Sequence, residues 1–513
     1  MSQAEIENAR RRGRRKRKAP EEDVVTPAAP YLTRGVPTYD YLSEEGLSRI
    51  EEEAERLLSE IGIEFRNHPK TLEVFKNAGL DVQGDLVKFE PGYCRKLIQT
   101  SAPKQFTQLA RNPERNVEFG GNGMVFAPLY GAPFVRGQEV DRRYATIEDF
   151  NNFMKLSQIS PHMHHTGGTI CEPTDIPVSK RHLDMVYSHI KYSDKAYMGA
   201  VTSGWQAEDS IRMTQMVFGD DVVDQNCCIV AMINPTSPLV YDGESLESLH
   251  VYAEHNQGCV VTPFIIAGAS GPVTPAGMSA QLFAEALVGM ALAQLVRPGS
   301  PVMFGINSMG LNMRSGAPTR FDESWKCVLV CGQLSRRLGV PYRCGGASTT
   351  SKIPDAQCGY ESALYLNYTV QSGVNFLIHA AGSLELGLCI SYEKFLLDCE
   401  MLGAVSRMVE GMDVSDNAFA LSDYEELGPG GNFLSAQHTL GRYKDAFFDS
   451  ELYDSLSFEQ WRDAGSDDAS ARAHILVNER LASFEAPYLD ASLDDQLLDF
   501  IAKRKAELPD SYA

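Results

Sequence analysis

The stretch GGASTTSKIPDAQCGYES, residues 345–362, places a lysine among hydroxyl, amide and carboxylate side chains. Lys352 follows the apolar run LGVPYRC and precedes a helical pattern that begins near Glu361, so it belongs to a loop between a strand and a helix. An amine in such a loop could form a Schiff base with a carbonyl substrate. The Ser and Thr hydroxyls around it can solvate an ammonium group, and Asp355 can pair with it. These neighbours favour a charged lysine over the neutral amine that a Schiff base requires.

Other polar and aromatic side chains occur in the same context, just after or within short apolar runs. Placed together, they could bind a small molecule through ring faces, hydrogen bonds and charges. No catalytic residue is assigned. The candidate substrate-binding residues are Tyr130, Glu172, Trp205, Asn234, Phe264, Asn307, Arg314, Tyr342, Lys352, Gln357, His379 and Glu385.

Known motifs for metal or nucleotide chemistry are missing from the sequence. HMHH at residues 162–165 is the only dense histidine cluster, and it begins a strand instead of following one, so we expect no metal site there. The chain contains no G-x-S-x-G elbow, no Walker loop and no G-x-G-x-x-G after a strand. Its Gly-rich strand ends lack the basic residues of a phosphate cup.

A regular rhythm of elements positions these residues. From residue 122 onward, an apolar run that ends in small residues is followed by a polar loop and a helical pattern, eight times in about 290 residues. Continuous apolar strands separated by helices indicate a parallel sheet buried on both faces, and eight units predict a (β/α)₈ barrel. The runs begin near residues 122, 163, 195, 226, 259, 301, 340 and 375. The candidate residues then lie in loops at the carboxyl ends of the strands, where such barrels bind substrates.

We divide the chain into four regions. Residues 1–30 are basic, lack an apolar period and are expected to form a disordered tail. Residues 31–121 read as an α+β cap, with Ser43 as a helix N-cap, and residues 122–411 form the barrel. Residues 412–513 are expected to form a helical extension that packs on the outside or rim of the barrel.

Charge and cysteine usage limit the function classes. The first 20 residues carry a net charge of +6. The whole chain carries −21, so the remaining residues carry −27, and such an acidic body would repel nucleic acid. Eleven scattered cysteines without C-x-x-C predict buried free thiols in a reducing compartment. With no membrane span or secretory leader recognised, the expected location is the cytoplasm.

Several runs resemble one known family. GAVTSG, INPTSPL, AGASGPVTPAG, STTSKIPDAQCGYE and GPGGNFLSAQHTLGRYKDAFFDSELYD look like the trimethylamine methyltransferase superfamily, whose members are corrinoid-dependent enzymes on a (β/α)₈ barrel. The likeness covers about residues 31–505, and the GGNFL…HT motif is its most specific part. The resemblance implies cobalamin carried by a partner corrinoid protein, no metal bound by this chain, and a homo-oligomer. Archaeal trimethylamine enzymes of this family contain pyrrolysine, whereas this chain reads through with standard residues.

The lack of pyrrolysine implies a substrate class. A tertiary amine must be protonated or form an adduct before Co(I) displaces its methyl group, whereas a quaternary ammonium already leaves as a neutral amine. We therefore expect this chain to resemble the branch of the family that demethylates glycine betaine or related betaines. Tyr130, Trp205, Phe264 and Tyr342 are the expected cage for the ammonium group. His379 and Arg314 are the expected anchors for a carboxylate.

Two alternatives remain open at this stage. A lysine-dependent lyase or aldolase on the same barrel would use Lys352 as its Schiff-base residue. A non-catalytic betaine- or corrinoid-binding protein would bind the same ligands without turnover. Borohydride trapping identifies the first, and a cob(I)alamin turnover assay separates the second from an enzyme.

Overall fold

The computed structural model describes residues 29–320 and 322–511 of the chain. The tail expected over residues 1–30 therefore lies outside the described residues, except for its last two positions. All eleven cysteines lie in the described part, and each is a buried free thiol, which confirms that expectation.

The described residues form twenty short strands. They are β1 Leu32–Thr33, β2 Ile63–Phe65, β3 Asp81–Gln83, β4 Leu86–Lys88, β5 Gln105–Gln108, β6 Val117–Gly120, β7 Gly123–Phe126, β8 Phe134–Arg136, β9 Arg143–Tyr144, β10 Val230–Ile233, β11 Val240–Tyr241, β12 Gly258–Val261, β13 Phe264–Ile266, β14 Val302–Gly305, β15 Asn307–Leu311, β16 Pro318–Thr319, β17 Tyr342–Cys344, β18 Phe376–Leu377, β19 Ser383–Leu384 and β20 Cys389–Ser391.

Eighteen α-helices connect and surround these strands in the described part. They are α1 Glu44–Arg56, α2 Pro69–Asn77, α3 Tyr93–Ser101, α4 Ile147–Ile159, α5 Val178–Tyr192, α6 Gly204–Phe218, α7 Asp220–Gln225, α8 Gly243–Glu254, α9 Pro275–Val296, α10 Trp325–Leu338, α11 Ala356–Gln371, α12 Tyr392–Glu410, α13 Asp416–Phe419, α14 Leu421–Leu427, α15 Gln437–Leu440, α16 Phe458–Asp463, α17 Ala469–Ala482 and α18 Ala491–Glu507.

Eight parallel segments close into a barrel, which confirms the predicted (β/α)₈ fold. Six are regular strands, joined in parallel as β10–β12–β14–β17–β18–β7. Residues 164–167 and 196–199 fill the remaining gap. The backbone amides of His164 and His165 donate to the carbonyl of Phe126 in β7, a parallel bridge joins His165 to Ala196, and another joins Met198 to Val230 of β10. Strands β7, β10, β12 and β14 are buried at every position, as expected for a sheet covered on both faces.

The lower end of the barrel, where its strands begin, is closed by side chains. Hairpin β5–β6 runs into β7 and inserts Phe119, whose ring centroid lies 4.8 Å from that of Phe376. His165 packs 5.0 Å from the same ring, and its Nδ1 accepts a hydrogen bond from the amide of Gly167 (2.8 Å). The HMHH histidines therefore belong to the closed end of the barrel, which leaves the carboxyl ends of the strands as the open mouth.

Local capping signals set the helix starts. Thr146 and Asp149 form a reciprocal capping box at α4, and Ser43 accepts from the amide of Gly46 at α1. Pro275 occupies the first turn of α9. Helix α9 is long and apolar enough to span a membrane by composition, yet 89% of its most apolar window is buried inside the protein. It packs against α1, α3, α8 and α10.

The last part of the chain divides into a packed and an extended portion. Helix α17 lies against α12 and α4, and α18 lies against α5 and α6. The segment between α12 and α16 leaves the body at Gly411 and returns where Phe448 contacts Gly403.

A buried lysine fastens the lower end of the barrel. Lys195 is 3% exposed, and its Nζ donates to the carbonyls of Ser157, Ser160 and Met163 at 2.8, 3.0 and 2.6 Å. Two of these carbonyls end helix α4 and the third begins the second barrel segment. Burial lowers the pKa of Lys195 to about 7, whereas donation to three carbonyls at once requires the ammonium form, so these hydrogen bonds favour the charged side chain.

Replacing Lys195 should destabilise the fold strongly. In Lys195→Met three buried carbonyls lose their donor, and each unsatisfied group costs about 1–3 kcal/mol, so we expect a loss of 3 kcal/mol or more in unfolding free energy. Urea unfolding followed by circular dichroism measures this loss. Lys503→Met is the matched control, because Lys503 is exposed and pairs only with Asp499 on its own helix, and its effect should stay within about 0.5 kcal/mol. Equal midpoints for the two variants would contradict the assignment.

Candidate functional site

The floor of the mouth is set by strand β17. Because side chains alternate along a strand, Tyr342 and Cys344 point toward the helices, whereas Arg343 points into the barrel. Arg343 is 1% exposed, and its Nη1 donates to the carbonyl of Ile306 at 2.9 Å. Its Nε is buried and has no hydrogen-bond partner. A guanidinium thus lies inside the barrel with a free donor.

A second guanidinium approaches the same place from the loop after β16. Arg320 stacks over the ring of Tyr365 at 4.4 Å and donates to the carbonyl of Ser308 (3.2 Å) and to Oγ of Ser348 (3.1 Å). Its Nε is also buried without a partner. Both arginines were missed from the sequence: Arg343 stood in the run VPYRCGG, where strand alternation was the signal that could have found it.

His379 lies beside both arginines. It follows β18 in a left-handed backbone conformation (φ 65°), and its amide donates to the carbonyl of Pro128 at 3.0 Å. Burial, followed by repulsion from Arg343 and Arg320, lowers the pKa of His379 well below its usual value. The imidazole is therefore neutral at physiological pH and offers one N–H donor.

Tyr130 forms another side of the mouth. A Cβ on Gly168 would lie 2.7 Å from the Tyr130 ring, so the glycine at this strand end makes room for the aromatic face. Burial, followed by the charge of Glu172, raises the pKa of the Tyr130 phenol to about 12. Glu172 forms an ion pair with Arg181. Tyr130 is also close enough to Arg343 for their charges to interact.

The charges of the mouth are not balanced. Among the described residues, no carboxylate forms an ion pair with Arg343 or Arg320, although thirty ion pairs occur elsewhere in that part of the chain. A buried charge without a counter-charge is costly, so two adjacent guanidiniums with unpaired donors are suited to bind an anion. The planar fork of arginine fits a carboxylate best.

The loop after β17 is held by a carboxylate that the sequence analysis did not select. Glu361 accepts from Oγ of Thr349 (2.6 Å), from Oγ of Thr350 (2.8 Å) and from the side-chain amide of Gln357 (3.0 Å). Gln357 is thereby committed to the loop. Lys352 is exposed and its Nζ donates to the carbonyl of Thr350 at 2.8 Å. The expected partner Asp355 instead caps α11 through the amide of Cys358.

A buried ion pair supports the loops after β17 and β18 from behind. Lys394 pairs with Asp398 one turn further along α12, and both side chains are 3% exposed. Lys394 also donates to Oγ of Ser362 at 3.0 Å, while Asp398 accepts from the amide of Gly382 at 2.8 Å. Burial raises the pKa of Asp398 to about 6. The pair therefore joins α11, α12 and the loop that carries His379.

Three candidates lie outside this group of side chains. The Tyr342 hydroxyl donates to the carbonyl of Val328 (2.9 Å) in the layer between barrel and helices, since it has the opposite strand parity from Arg343. Trp205 stands on the outer helix layer, 5.2 Å from the ring of His182. Arg314 is exposed on the β15–β16 hairpin, so it lies on the rim and not at the floor.

The remaining candidates line the upper part of the mouth or its rim. Phe264 pairs with Asn307 in the short parallel sheet β13–β15. Asn234 is exposed after β10, and its carbonyl accepts from Ser245. Glu385 accepts from Nε of Arg142 at 2.9 Å. The structure thus brings Tyr130, Glu172 and His379 together with the two arginines and spreads the others around them.

The chain is similar to known proteins along nearly its whole length. The family model described as trimethylamine methyltransferase (MTTB) matches residues 9–509. Glycine betaine methyltransferase of Desulfitobacterium hafniense (strain Y51) is 40% identical over 477 residues, 92% of this chain and 98% of that protein. Proline betaine:corrinoid methyltransferase of Eubacterium limosum is 28% identical, covering 90% and 96%. Trimethylamine methyltransferase MttB of Methanosarcina thermophila is 25% identical, covering 83% and 89%.

The protonation state of His379 can be tested directly. Because burial and the two arginines lower its pKa, the imidazole should stay neutral from pH 8 down to pH 6, whereas an imidazolium would form as pH falls through an unshifted pKa near 6.5. We expect its ¹³Cε1–¹H signal, assigned by its loss in His379→Gln, to keep a constant shift over this range. A titration midpoint near 6.5 would show that neither burial nor the arginines lower the pKa of this histidine.

Proposed function

Because the chain belongs to the trimethylamine methyltransferase family, we propose that it transfers a methyl group from a betaine to the cobalt of a corrinoid protein. Glycine betaine or a close relative is the proposed donor, and the protein is an enzyme of the methyltransferase class. The observation that carries the substrate assignment is the unpaired positive charge of Arg343 and Arg320 at the floor of the mouth.

The two arginines and His379 form the proposed carboxylate anchor. Nε of Arg343 and Nε of Arg320 are the free donors, and the neutral His379 adds an N–H. A carboxylate placed between them would supply the counter-charge that the described residues do not. Charge-assisted hydrogen bonds of this type contribute about 1.5–3 kcal/mol each. The anchor would thus select betaines over quaternary amines that lack a carboxylate.

The trimethylammonium end of the substrate would lie against the opposite wall. The Tyr130 ring offers an aromatic face, and Glu172 adds negative charge nearby. Phe264, at the upper edge of the mouth, is the proposed second ring. Cation–π attraction in a desolvated site is worth up to about 2 kcal/mol per ring. This arrangement would hold the nitrogen near the barrel axis with its methyl groups toward the open end.

No acid or nucleophile is needed from this chain for such a donor. A quaternary nitrogen leaves as a neutral amine when a methyl group departs, so the site only has to bind, orient and desolvate the substrate. Lys352 has the surroundings of a solvated residue, since it is exposed and bonded to a carbonyl of its own loop. These surroundings disfavour the lyase alternative, which requires a desolvated amine.

The corrinoid group would supply Co(I), the strong nucleophile that accepts the methyl group. The rim of the mouth suits a docking partner, because each of five strand-end loops presents an exposed apolar side chain. These are Tyr144, Val273, Met313, Ile353 and Leu388. Self-association and a cytoplasmic location are also part of the proposal.

The substrate class is testable by turnover. Purified enzyme should methylate cob(I)alamin from glycine betaine or another betaine, followed by the cobalt absorbance change, and should leave trimethylamine unchanged. Trimethylamine needs prior activation of its nitrogen, a step that the proposed site does not include. Turnover of trimethylamine without turnover of any betaine would contradict the proposal. Binding of betaine without turnover would support the non-catalytic alternative, and borohydride fixation of substrate to Lys352 would support the lyase.

The anchor is testable by charge removal. Arg343→Leu should raise KM for a betaine at least tenfold, because one charge-assisted contact is lost, and should not change KM for choline, which has no carboxylate. Arg343→Lys keeps the positive charge but lacks the planar guanidinium, so its KM for a betaine should lie between those of wild type and Arg343→Leu. Arg314→Leu is the matched control, because this exposed arginine lies on the rim. An unchanged KM for betaine in Arg343→Leu with normal thermal unfolding would exclude the anchor.

A further inference from the structure

The segment around residues 408–458 has an unusual surface. It makes up one tenth of the chain, yet it carries 13 of the 28 large hydrophobic side chains that are exposed in the described residues. They are Met408, Met412, Val414, Phe419, Leu421, Tyr424, Leu434, Leu440, Tyr443, Phe447, Tyr453, Leu456 and Phe458. Exposed apolar side chains at this density are typical of an interaction surface. We call residues 412–447 the arm.

The arm is folded on itself and hardly bonded to the body. Between Asp413 and Lys444 its hydrogen bonds join arm residues to one another, as when the amide of His438 donates to Asp423. Its attachment to the body comes at the ends, where Arg407 donates to the carbonyl of Asp445 at 2.6 Å. Helices α13, α14 and α15 have four to seven residues each and could not remain ordered alone in water.

The arm lies at the closed end of the barrel. Helix α12 begins next to β20, at the mouth, and ends where Glu410 meets Gly35, beside the start of β7. Its 19 residues span about 28 Å. A corrinoid protein that delivers cobalt to the mouth therefore faces the other end of the barrel. The GGNFL…HT motif at residues 430–439 belongs to the arm, so it lies away from the cavity and the rim of its own copy.

The composition of the arm limits its partner. It contains six acidic and two basic side chains, so nucleic acid and anionic membranes would be repelled. The apolar area is sufficient for a stable interface. A large aromatic side chain buries roughly 150–250 Å², and covering the exposed set would remove on the order of 1,000 Å² per copy, against about 800 Å² per partner in a standard interface.

We propose that the arm is a self-association surface that docks on the closed end or flank of a second copy of this chain. This occupant leaves the mouths of both copies free and covers the apolar side chains of both. Because the two copies are both acidic, their contact is held by apolar burial against charge repulsion. Raising the salt concentration should therefore strengthen the association. Docking of an acidic arm on a basic partner would instead be weakened by added salt.

The mass of the full-length protein tests the proposal. Light scattering should give wild type at twice 56.6 kDa or a higher multiple, and the double variant Leu434→Asp/Phe447→Asp at 56.6 kDa. Circular dichroism and betaine turnover of the variant should match wild type at equal concentration. The matched control is Tyr39→Asp/Ile61→Asp, two exposed hydrophobic residues outside the arm, which should keep the wild-type mass. A monomeric wild type, or an arm variant with unchanged mass, would overturn the proposal.

Cross-linking identifies what the arm touches. Since all eleven native cysteines are buried, Leu434→Cys introduces an accessible thiol to which a maleimide-benzophenone probe can be attached. Irradiation should produce a dimer band, and digestion should place the cross-link between peptides of two copies. Ile61→Cys carrying the same probe should give no dimer band. Exclusive cross-linking to an added corrinoid protein would assign the arm to that partner instead. This test does not depend on turnover, so it is separate from the test of the proposed reaction.

Discussion

Positive charge buried inside the barrel is the constraint on which the mouth depends. Arg343 lies in the wall of β17 with one hydrogen bond to Ile306, and Arg320 lies flat on Tyr365. Neither has a carboxylate partner in the part of the chain that the structure describes. A barrel that only had to be stable would fill these positions with aliphatic side chains. Burying Arg343 costs free energy, which the carboxylate of the proposed substrate would recover on binding.

Rigid support makes this arrangement possible. His379 occupies a left-handed conformation that a non-glycine residue rarely adopts, and its loop is tied to α12 through Gly382 and Asp398. Lys394 neutralises Asp398 and reaches Ser362 on the neighbouring helix. Breaking such a pair leaves an uncompensated buried charge. The loops at the mouth are consequently fixed by contacts behind them, which leaves their outer faces free for ligand and partner.

The sequence predicted features that depend on local signals. The eight strands follow from apolar runs, and caps such as Thr146 follow from the residue type beside a periodic segment. Features that depend on parity or tertiary packing could not be read in the same way. On strand β17 a shift of one residue separates the inward-facing Arg343 from the outward-facing Tyr342. Trp205 faces away from the barrel because it lies on the outer side of its helix. The extension was expected to pack on the body, and α17 and α18 do so, whereas the arm does not.

The buried thiols have a consequence for the conditions under which the protein can work. Each cysteine is free and buried, and burial raises the pKa of the thiols, so little reactive thiolate is present. Cobalt in the Co(I) state survives only beside strong, low-potential electron donors. Such donors reduce disulfides. A fold that contains no disulfide loses no stability in that environment. The chain is thus chemically compatible with the reducing power that its proposed co-substrate demands.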